Sequence, residues 1–275
     1  MNSTQKNAMH AAETLQNEAE VIQITESKPA VHSFKILTLN MHKGFTLFNR
    51  QFILPELRDA VRTLSTDIVF LQEVHGSHLH HAKRHENWPR VPQYEYLADS
   101  MWPEFSYGRN AVYPHGDHGN ALLSKFPIIR YQNMDVSIGN IEQRGLLHSV
   151  LKLPGHNEVH AICVHLGLRE SHRRQQLRLL CGLVERIPKS APVIVAGDFN
   201  DWRKRADGIL HACGLSEVFV ETHGKFAKSF PARWPILSLD RIYLRNAKSI
   251  NPQVLKMRPW SHLSDHAPLA VEVHL

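Results

Sequence analysis

The feature that most constrains the fold of this chain is a series of short apolar segments with the pattern of β-strands. Nine such segments, each five to eight residues long, are spread along the sequence. They are FKILTLN (34–40), DIVFLQE (67–73), YEYLA (94–98), GNALLS (119–124), LLHSVLKL (146–153), VHAICVHL (159–166), PVIVAGD (192–198), DRIYL (240–244) and PLAVEVHL (268–275). So many buried strands need cover on their apolar faces, which predicts packed sheets.

Three segments between the predicted strands have the pattern of helices. PELRDAVRTL (55–64) repeats apolar residues at helical spacing, and further helices are expected near 171–187 and 205–213. Strands and helices alternate only part of the time, which favours one large α/β sandwich with its helices outside. We predict a single domain over 34–275, preceded by a polar tail over 1–33 that is flexible or forms a frayed helix.

Composition excludes several other classes of protein. Hydrophobic residues make up 43% of the chain and charged residues 21%, values that exclude collagen-like, disordered and coiled-coil chains. No apolar run reaches the length of a membrane span, and the first twenty residues lack the apolar core of a secretory signal. We therefore expect a cytoplasmic protein, and we expect it to be a monomer.

The cysteines give little sign of a metal site or a redox site. Cys163, Cys181 and Cys213 are the three in the chain, and they form no C-x-x-C pair. In a cytoplasmic protein such residues are usually reduced. We expect all three to be reduced and buried.

The net charge of +6 is unevenly distributed along the chain. Within residues 1–33, two lysines stand against four glutamates, so this part carries −2 and the remainder carries +8. A basic body favours polyanionic partners such as nucleic acid, anionic lipid headgroups or phosphorylated small molecules.

Polar side chains stand at the ends of the predicted strands. They are Asn40, Glu73, Asp198 and Asn200 after strands, and Asp240 and the triplet Ser264, Asp265 and His266 before strands. Taken singly, such residues more often cap turns than take part in catalysis. Taken together, the oxygen ligands among them are of the kind that selects Mg²⁺ or Mn²⁺ rather than Zn²⁺.

Seven motifs carry a resemblance to a known family. They are LTLNMHKG, LQE, HGNALLSKFPI, VHLGLRE, VAGDFND, LDRIY and LSDHAPL. In order and spacing they resemble the endonuclease/exonuclease/phosphatase superfamily, which includes DNase I, apurinic/apyrimidinic endonucleases, neutral sphingomyelinases and inositol polyphosphate 5-phosphatases. The resemblance covers nearly all of 34–275 and is nearest to a compact bacterial branch without an assigned substrate. It implies a four-layered α-β-β-α sandwich of two mainly antiparallel sheets with outer helices.

The resemblance also implies roles for individual residues and a cofactor, Mg²⁺ or Mn²⁺. Glu73 is expected to be the main metal ligand, with Asn40 beside it and Asp265 completing the metal and water network. The other expected roles are phosphate contact by His165, orientation of water and phosphate by Asp198 and Asn200, a hydrogen-bonded pair of Asp240 with His266, and support by Asn120.

His42 departs from the pattern of many nucleases in the superfamily, which have an Asp at this position. A neutral imidazole could contact phosphate or a softer metal but supplies no negative charge, so a second metal site on this side is doubtful. The alternative is a solvent-facing loop residue.

Two further groups of residues have open interpretations. Five histidines lie between positions 75 and 85, and His81 and His85 have helical i, i+4 spacing, but position 82 is Ala where the zincin motif needs Glu. We interpret this stretch as a mobile, partly protonated loop, ahead of adventitious metal binding and of a structural zinc site. Arg169 and Arg173 follow His165 closely and could reach an extended polyanion, or they could belong to a solvated helix face.

Three functions remain open from the sequence. The first is metal-dependent hydrolysis of phosphodiester bonds in nucleic acid, which the positive charge of residues 34–275 favours. The second is cleavage of phospholipids or their headgroups, to which Trp202, Trp234 and Trp260 near the motif residues could contribute. The third is a non-catalytic module that binds polyanions.

Overall fold

Two six-stranded mixed sheets form the centre of the protein. The computed structural model describes residues 32–46, 51–99, 101–140, 142–156 and 158–275. The predicted tail therefore lies outside the described residues, except for its last two, and Ser33 already belongs to the first strand.

The first sheet has the strand order β11-β12-β1-β2-β4-β3. Its strands are β1 (Ser33–Asn40), β2 (Ile68–His78), β3 (Glu104–Tyr113), β4 (Gly116–Ser124), β11 (Lys248–Val254) and β12 (Leu269–His274). Of these pairs, β1 with β2 is parallel and the others are antiparallel.

The second sheet has the strand order β5-β6-β7-β8-β10-β9. Its strands are β5 (Ile128–Asp135), β6 (Gly145–Leu151), β7 (Val159–His165), β8 (Val193–Asp198), β9 (Ser216–Glu217) and β10 (Asp240–Arg245). Here β7 with β8 is the parallel pair. Each sheet thus has one parallel pair near its centre, so both are mainly antiparallel, as expected.

Seven α-helices accompany the sheets in the described part of the chain. They are α1 (Leu54–Thr63), α2 (Leu79–Arg84), α3 (Gln93–Ala98), α4 (Glu170–Arg186), α5 (Ala206–Ala212), α6 (Val218–His223) and α7 (Trp260–Leu263). A 3-10 turn, His42–Gly44, follows β1 directly.

Three apolar clusters separate four layers. The central cluster joins facing side chains of the two sheets, such as Ile36 and Phe70 with Ala161 and Ile194. A second cluster packs α1 and α3 on the outer face of the first sheet, and a third packs α4 and α5 on that of the second. This arrangement confirms the predicted α-β-β-α sandwich.

The segment 94–98 was predicted to be a strand, and this prediction is wrong. It belongs to α3, whose Leu97 and Ala98 pack on the outer face of the first sheet. The run YEYLA is too short for its period to distinguish a strand from a helical turn. The preceding Pro92 suits a helix N-terminus, where the amide that proline lacks would have no intrahelical partner.

The expectation that all cysteines are reduced is also wrong. Cys181 of α4 and Cys213, which follows α5, form a disulfide, with their Cα atoms 5.7 Å apart. The two helices pack side by side on the second sheet, which brings the cysteines within bonding range. Cys163 is free and buried.

The histidine-rich stretch is not a loop. β2 continues to His78 and α2 follows at Leu79 without a break. His75 is only 2% exposed. The side chain of His78 accepts a hydrogen bond from the backbone N–H of His81, which caps the helix.

No helix in the described ranges is long and apolar enough to cross a membrane.

Glu217 makes the stability of the fold depend on pH. Its carboxylate is buried and caps α6 by accepting the Val220 N–H at 2.7 Å. Burial raises its pKa from 4.5 to about 7. A carboxyl with a raised pKa in the folded state stabilises the fold fully below pH 4.5, and this contribution is lost as the pH rises through about 7.

We expect the free energy of unfolding of the native protein to fall by up to about 3 kcal/mol more than that of Glu217→Gln between pH 4.5 and pH 8. Denaturant unfolding at the two pH values measures this difference. Glu221→Gln, an exposed change on the same helix, serves as the control and should behave like the native protein. Equal pH dependence of the Glu217 variant and the native protein would contradict the assignment.

Candidate active site

The polar residues at the strand ends converge at one end of the sandwich. Asn40 ends β1, His165 ends β7 and Asp198 ends β8, while Asp240 begins β10. Within the second sheet, Asp198 is aligned with His165 across the parallel pair and with Asp240 across the antiparallel pair. Side chains that are distant in sequence therefore become neighbours here.

A β-bulge sets the orientation of Glu73. The pairing of β2 with β4 shifts register between Leu71 and Val74, and Glu73 adopts a positive φ of 56°. An extra residue in one strand turns the following side chains, and a bulge is often found beside an active site. Positive φ values also occur at His42, Lys43 and Asn200, so several backbone conformations at this end of the sandwich are strained.

Asn40 joins the two sheets. Its side-chain amide donates to Glu73 Oε1 at 3.3 Å and to Asp198 Oδ2 at 3.1 Å. Its Oδ1 accepts the backbone N–H of His42, and its backbone oxygen accepts the hydroxyl of Ser264 at 2.6 Å. Asn40 therefore fixes a carboxylate from each sheet at a defined separation.

A buried group of ionisable side chains forms the floor of the site. His266 Nδ1 lies 2.7 Å from Asp240 Oδ2, and its Nε2 lies 3.9 Å from Asp198 Oδ2. On the other side of Asp198, His165 Nε2 is 3.5 Å from the same oxygen. The side chains of Asp198 and Asp240 are 2% and 1% exposed, so charge in this group is scarcely screened by solvent.

The two histidines of the floor differ in protonation state. Burial alone would lower the pKa of His266, but the neighbouring Asp240 and Asp198 raise it to about 10. Burial and the charge of Arg144 lower the pKa of His165 well below its usual value. At neutral pH, His266 is therefore an imidazolium and His165 a neutral imidazole.

Asp198 has the properties of a proton acceptor. Burial and the nearby charge of Asp240 raise its pKa to about 6, although His266 opposes the shift. Its Oδ1 accepts the backbone N–H of Asn200 at 2.9 Å, which fixes the carboxylate plane together with Asn40. A general base works best with a pKa near the operating pH.

Asp198, Asp240 and His266 also have the spacing of a metal-binding triad, since their ligand atoms lie within 4.8 Å of one another. An imidazolium has no free lone pair and cannot bind a metal ion. The positive charge of His266 already compensates the carboxylates, so the chemistry available to this group is proton transfer and hydrogen bonding.

The rim of the site is more open than the floor. The side chain of Glu73 is 22% exposed and that of Lys43 is 36% exposed. Glu73 Oε2 lies 3.6 Å from Lys43 Nζ. His42 Nδ1 contacts Asp265 Oδ2 at 2.8 Å, and this hydrogen bond raises the pKa of His42. Burial alone would raise the pKa of Asp265, but the same hydrogen bond lowers it. His42 is thus engaged in the site and is not a solvent-facing loop residue.

The rim is suited to a hard divalent cation. Glu73 and Asp265 offer carboxylate oxygens and Asn40 an amide oxygen, which is the ligand chemistry that Mg²⁺ and Mn²⁺ prefer. The His42 and Lys43 side chains supply positive charge next to these carboxylates. That charge makes a second cation at the same rim unfavourable.

The remaining predicted residues support the site from below. The buried Asn120 donates its amide to the backbone oxygens of Gly145 and Cys163, at 3.0 and 3.4 Å. Asn200 donates to the backbone oxygen of Leu166, directly after β7. Asn120 therefore joins β4 of the first sheet to β6 and β7 of the second, and Asn200 joins the segments that follow β7 and β8.

The two predicted arginines have different environments. Arg169 is exposed just before α4, whereas Arg173 is 2% exposed. The Arg173 guanidinium donates to the backbone oxygens of Gly167, at 3.1 Å, and of Leu168, and it stacks over Trp202. Arg173 therefore holds the turn after β7, and of the two only Arg169 is available at the surface.

Two residues of the site, Lys43 and Ser229, were not among the predicted ones, and Ser264 was named at a strand end without a role. Lys43 contacts Glu73, Ser264 bonds to Asn40, and the Ser229 hydroxyl accepts the backbone N–H of Asp240 at 3.1 Å. Lys43 and Ser264 lie within the quoted motifs LTLNMHKG and LSDHAPL, so their position was a usable signal. Ser229 lies in a segment without a motif, and only the fold brings it to the site.

Known proteins resemble this chain in sequence. The sequence model of the Endonuclease/Exonuclease/phosphatase family matches residues 37–266. A protein of Escherichia coli K12, described as uncharacterized protein YbhP, is 56% identical over 245 residues, which span 88% of this chain and 97% of that protein.

Solved structures resemble it in fold. An endonuclease/exonuclease/phosphatase of Beutenbergia cavernae superposes with a TM-score of 0.71 at 17% identity, over 89% of this chain and 72% of that one. The D. rerio protein TDP2, solved in complex with a single-strand DNA product, gives a TM-score of 0.66 at 17% identity, over 88% and 99% of the two chains. The family match spans every strand end that forms the site, and we conclude that this chain belongs to the endonuclease/exonuclease/phosphatase family.

Proposed function

We propose that this protein is a divalent-metal-dependent phosphodiesterase that acts on nucleic acid. The observation that carries the proposal is the position of Asn40, which links the open Glu73 of the rim to the buried Asp198 of the floor. A cation ligand and a proton acceptor are thereby held at one end of the sandwich. Hydrolysis of an anionic ester needs both, because a phosphodiester repels hydroxide.

In this proposal, Glu73, Asn40 and Asp265 hold Mg²⁺ or Mn²⁺. When bound, the ion supplies positive charge to a non-bridging phosphate oxygen. The other steps are carried by the side chains of the floor.

Asp198 accepts a proton from the attacking water, consistent with its raised pKa and its fixed orientation. The water oxygen bonds to phosphorus as the ester P–O bond breaks, and the leaving alkoxide takes up a proton from solvent. The Nε2–H of His266 and the neutral ring of His165 offer hydrogen bonds to the phosphate as charge builds up, and Asp240 holds the ring of His266 in place.

Charge supports nucleic acid as the substrate. The chain carries a net charge of +6, and its similarity in fold to a DNA-binding neighbour is consistent with a polynucleotide. The floor contains a proton acceptor and hydrogen-bond donors for hydrolysis, which favours an enzyme over a protein that only binds polyanions.

A lipid substrate is the second candidate because apolar side chains project near Asp265. Trp234 is 79% exposed and Ile236 is 65% exposed on the loop before β10, which also lines a cavity shared with Asp265. Such residues insert readily into a membrane interface.

An activity panel separates these candidates. One preparation is offered bis(p-nitrophenyl) phosphate, single-stranded DNA, plasmid DNA, RNA and phospholipid vesicles, each with Mg²⁺, with Mn²⁺ and with EDTA. We expect metal-dependent cleavage of the chromogenic ester and of at least one nucleic acid. Cleavage of vesicles alone would favour the lipid candidate, and no cleavage of any ester with either metal would contradict the enzymatic function.

The exposed arginines at the start of α4 provide a further prediction. If Arg169 and Arg174 contact phosphates, replacing both by Ala should reduce the slope of log affinity against log salt by about 1.4 to 1.8, because each phosphate contact contributes roughly 0.7 to 0.9. Fluorescence anisotropy with labelled single-stranded DNA measures the slope.

Arg186 and Lys189, replaced together by Ala, form the matched control. They remove the same charge at the other end of α4, roughly 24 Å away at 1.5 Å per residue. An equal reduction by both pairs would indicate that only net charge matters and that Arg169 and Arg174 make no phosphate contact.

A further inference from the structure

A second cluster of titratable side chains lies at the junction of β2 and α2, outside the floor and rim described above. Its members are His75, His78 and His81, whose ligand atoms lie within 4.8 Å of one another. We propose that these three histidines bind one divalent transition-metal ion of the class that prefers imidazole, represented by Zn²⁺. This site is independent of the Mg²⁺ or Mn²⁺ site at Glu73.

His75 is oriented for metal binding. It is 2% exposed, and its Nδ1 lies 3.2 Å from the backbone oxygen of Asp117. The Tyr113 hydroxyl also lies 3.2 Å from Nδ1. A carbonyl oxygen only accepts and a hydroxyl can accept, so a proton on Nδ1 serves both contacts and leaves Nε2 with a free lone pair. Among the residues that the structure describes, Nε2 has no hydrogen-bond partner. Metal-binding histidines usually donate their second ring nitrogen to a carbonyl or carboxylate in this way.

The other two rings lie close together at the start of α2. The ring centroids of His78 and His81 are 3.8 Å apart, and Nδ1 of His81 is buried without a hydrogen-bond partner in the described part of the chain. Nδ1 of His78 accepts the backbone N–H of His81 at 3.1 Å. Coordination through His78, by Nδ1 itself or by Nε2 after its proton has moved to Nδ1, therefore requires loss of this helix cap.

The three imidazoles are neutral and can serve as ligands. Burial lowers the pKa of His81 to about 4 and also lowers the pKa of His78. Two buried ring nitrogens without a hydrogen-bond partner destabilise the fold, because buried polar atoms are normally hydrogen-bonded. A bound cation would satisfy them.

The composition of the cluster selects the class of metal. All three ligands are nitrogen donors, which suit Zn²⁺, Cu²⁺ and Ni²⁺ and disfavour Mg²⁺. The rings line a cavity of about 790 Å³ together with Lys43 and Tyr113. With three protein ligands and access to this cavity, the site leaves a fourth position for water or another small ligand.

The test is calorimetric titration of the full chain with Zn²⁺ in the presence of excess Mg²⁺. We expect one Zn²⁺ per chain, and X-ray absorption of the zinc-loaded protein should report three imidazole ligands. Both His78→Gln and His81→Gln should weaken binding by more than about 100-fold, because even a change outside the ligand shell costs about 10- to 100-fold.

Two control variants locate the bound ion. His80→Gln changes an exposed histidine of the same helix and should leave affinity unchanged. Glu73→Gln should also retain Zn²⁺, which separates this proposal from the proposed phosphodiesterase activity. Circular dichroism of His78→Gln and His81→Gln verifies that these partly buried changes preserve the fold.

Three results would overturn the proposal. They are absence of Zn²⁺ binding, equal binding by folded His81→Gln and native protein, and a carboxylate-rich ligand shell in the absorption data. The first would leave the three rings as aromatic packing against Trp88, whose ring stacks on His81. The other two would assign the ion to adventitious sites or to the carboxylates of the rim.

Discussion

Replacing Glu73 by Gln is expected to lower phosphodiesterase activity by at least about 1000-fold, since the charge held by a metal ion contributes several kcal/mol to transition-state stabilisation. The size of the side chain is retained and only the charge is lost. Glu73 is partly exposed and its contact with Lys43 is 3.6 Å long, so the melting temperature without metal should change little. Steady-state kinetics over a range of Mg²⁺ concentrations, together with calorimetric Mg²⁺ binding, measures both effects.

Glu185→Gln is the matched control, because it removes the same charge from an exposed position at the far end of α4. It should keep native activity and native Mg²⁺ affinity. Full activity of Glu73→Gln in saturating EDTA would contradict the metal-dependent mechanism.

Asp240 and His266 are expected to act as one unit. Asp240 positions the His266 ring through the 2.7 Å contact and is buried away from the rim. Asp240→Asn and His266→Ala should each lower kcat/KM by about 10²- to 10⁴-fold. The double variant should be scarcely worse than His266→Ala alone, because Asp240 acts only through the ring.

The pH profile adds a second measurement. Asp240 helps to raise the pKa of His266 to about 10, so activity that needs the imidazolium is present below that value and is lost above it. Asp240→Asn removes the favourable charge and should move this loss to lower pH. Strictly additive losses in log kcat/KM with an unmoved profile would mean that the two residues act independently.

Much of the site could be predicted from the sequence because its residues stand next to recognisable strands. Asn40, Asp198 and Asp240 each border an apolar run, and such runs deliver their terminal side chains to one edge of a sheet. The family motifs then indicated which of these polar residues belong together.

The four strands that the sequence did not predict share one property. β3, β5, β9 and β11 lie at the edges of the two sheets. Edge strands are only partly buried and carry polar side chains that discourage pairing with other chains, so they lack the apolar runs of central strands. Their position in a sheet, and not their composition, makes them strands.

The sequence by itself determined the central strands, the longer helices, the family and most of the polar residues of the site, because hydrophobic period and motif are local properties. Only the tertiary structure decided which groups are buried beside one another. It turned Glu73 at a bulge, directed Arg173 onto the backbone, joined Cys181 to Cys213 and gathered His75, His78 and His81. The physical reason is that pairing, register and desolvation depend on contacts between distant segments, which no local pattern encodes.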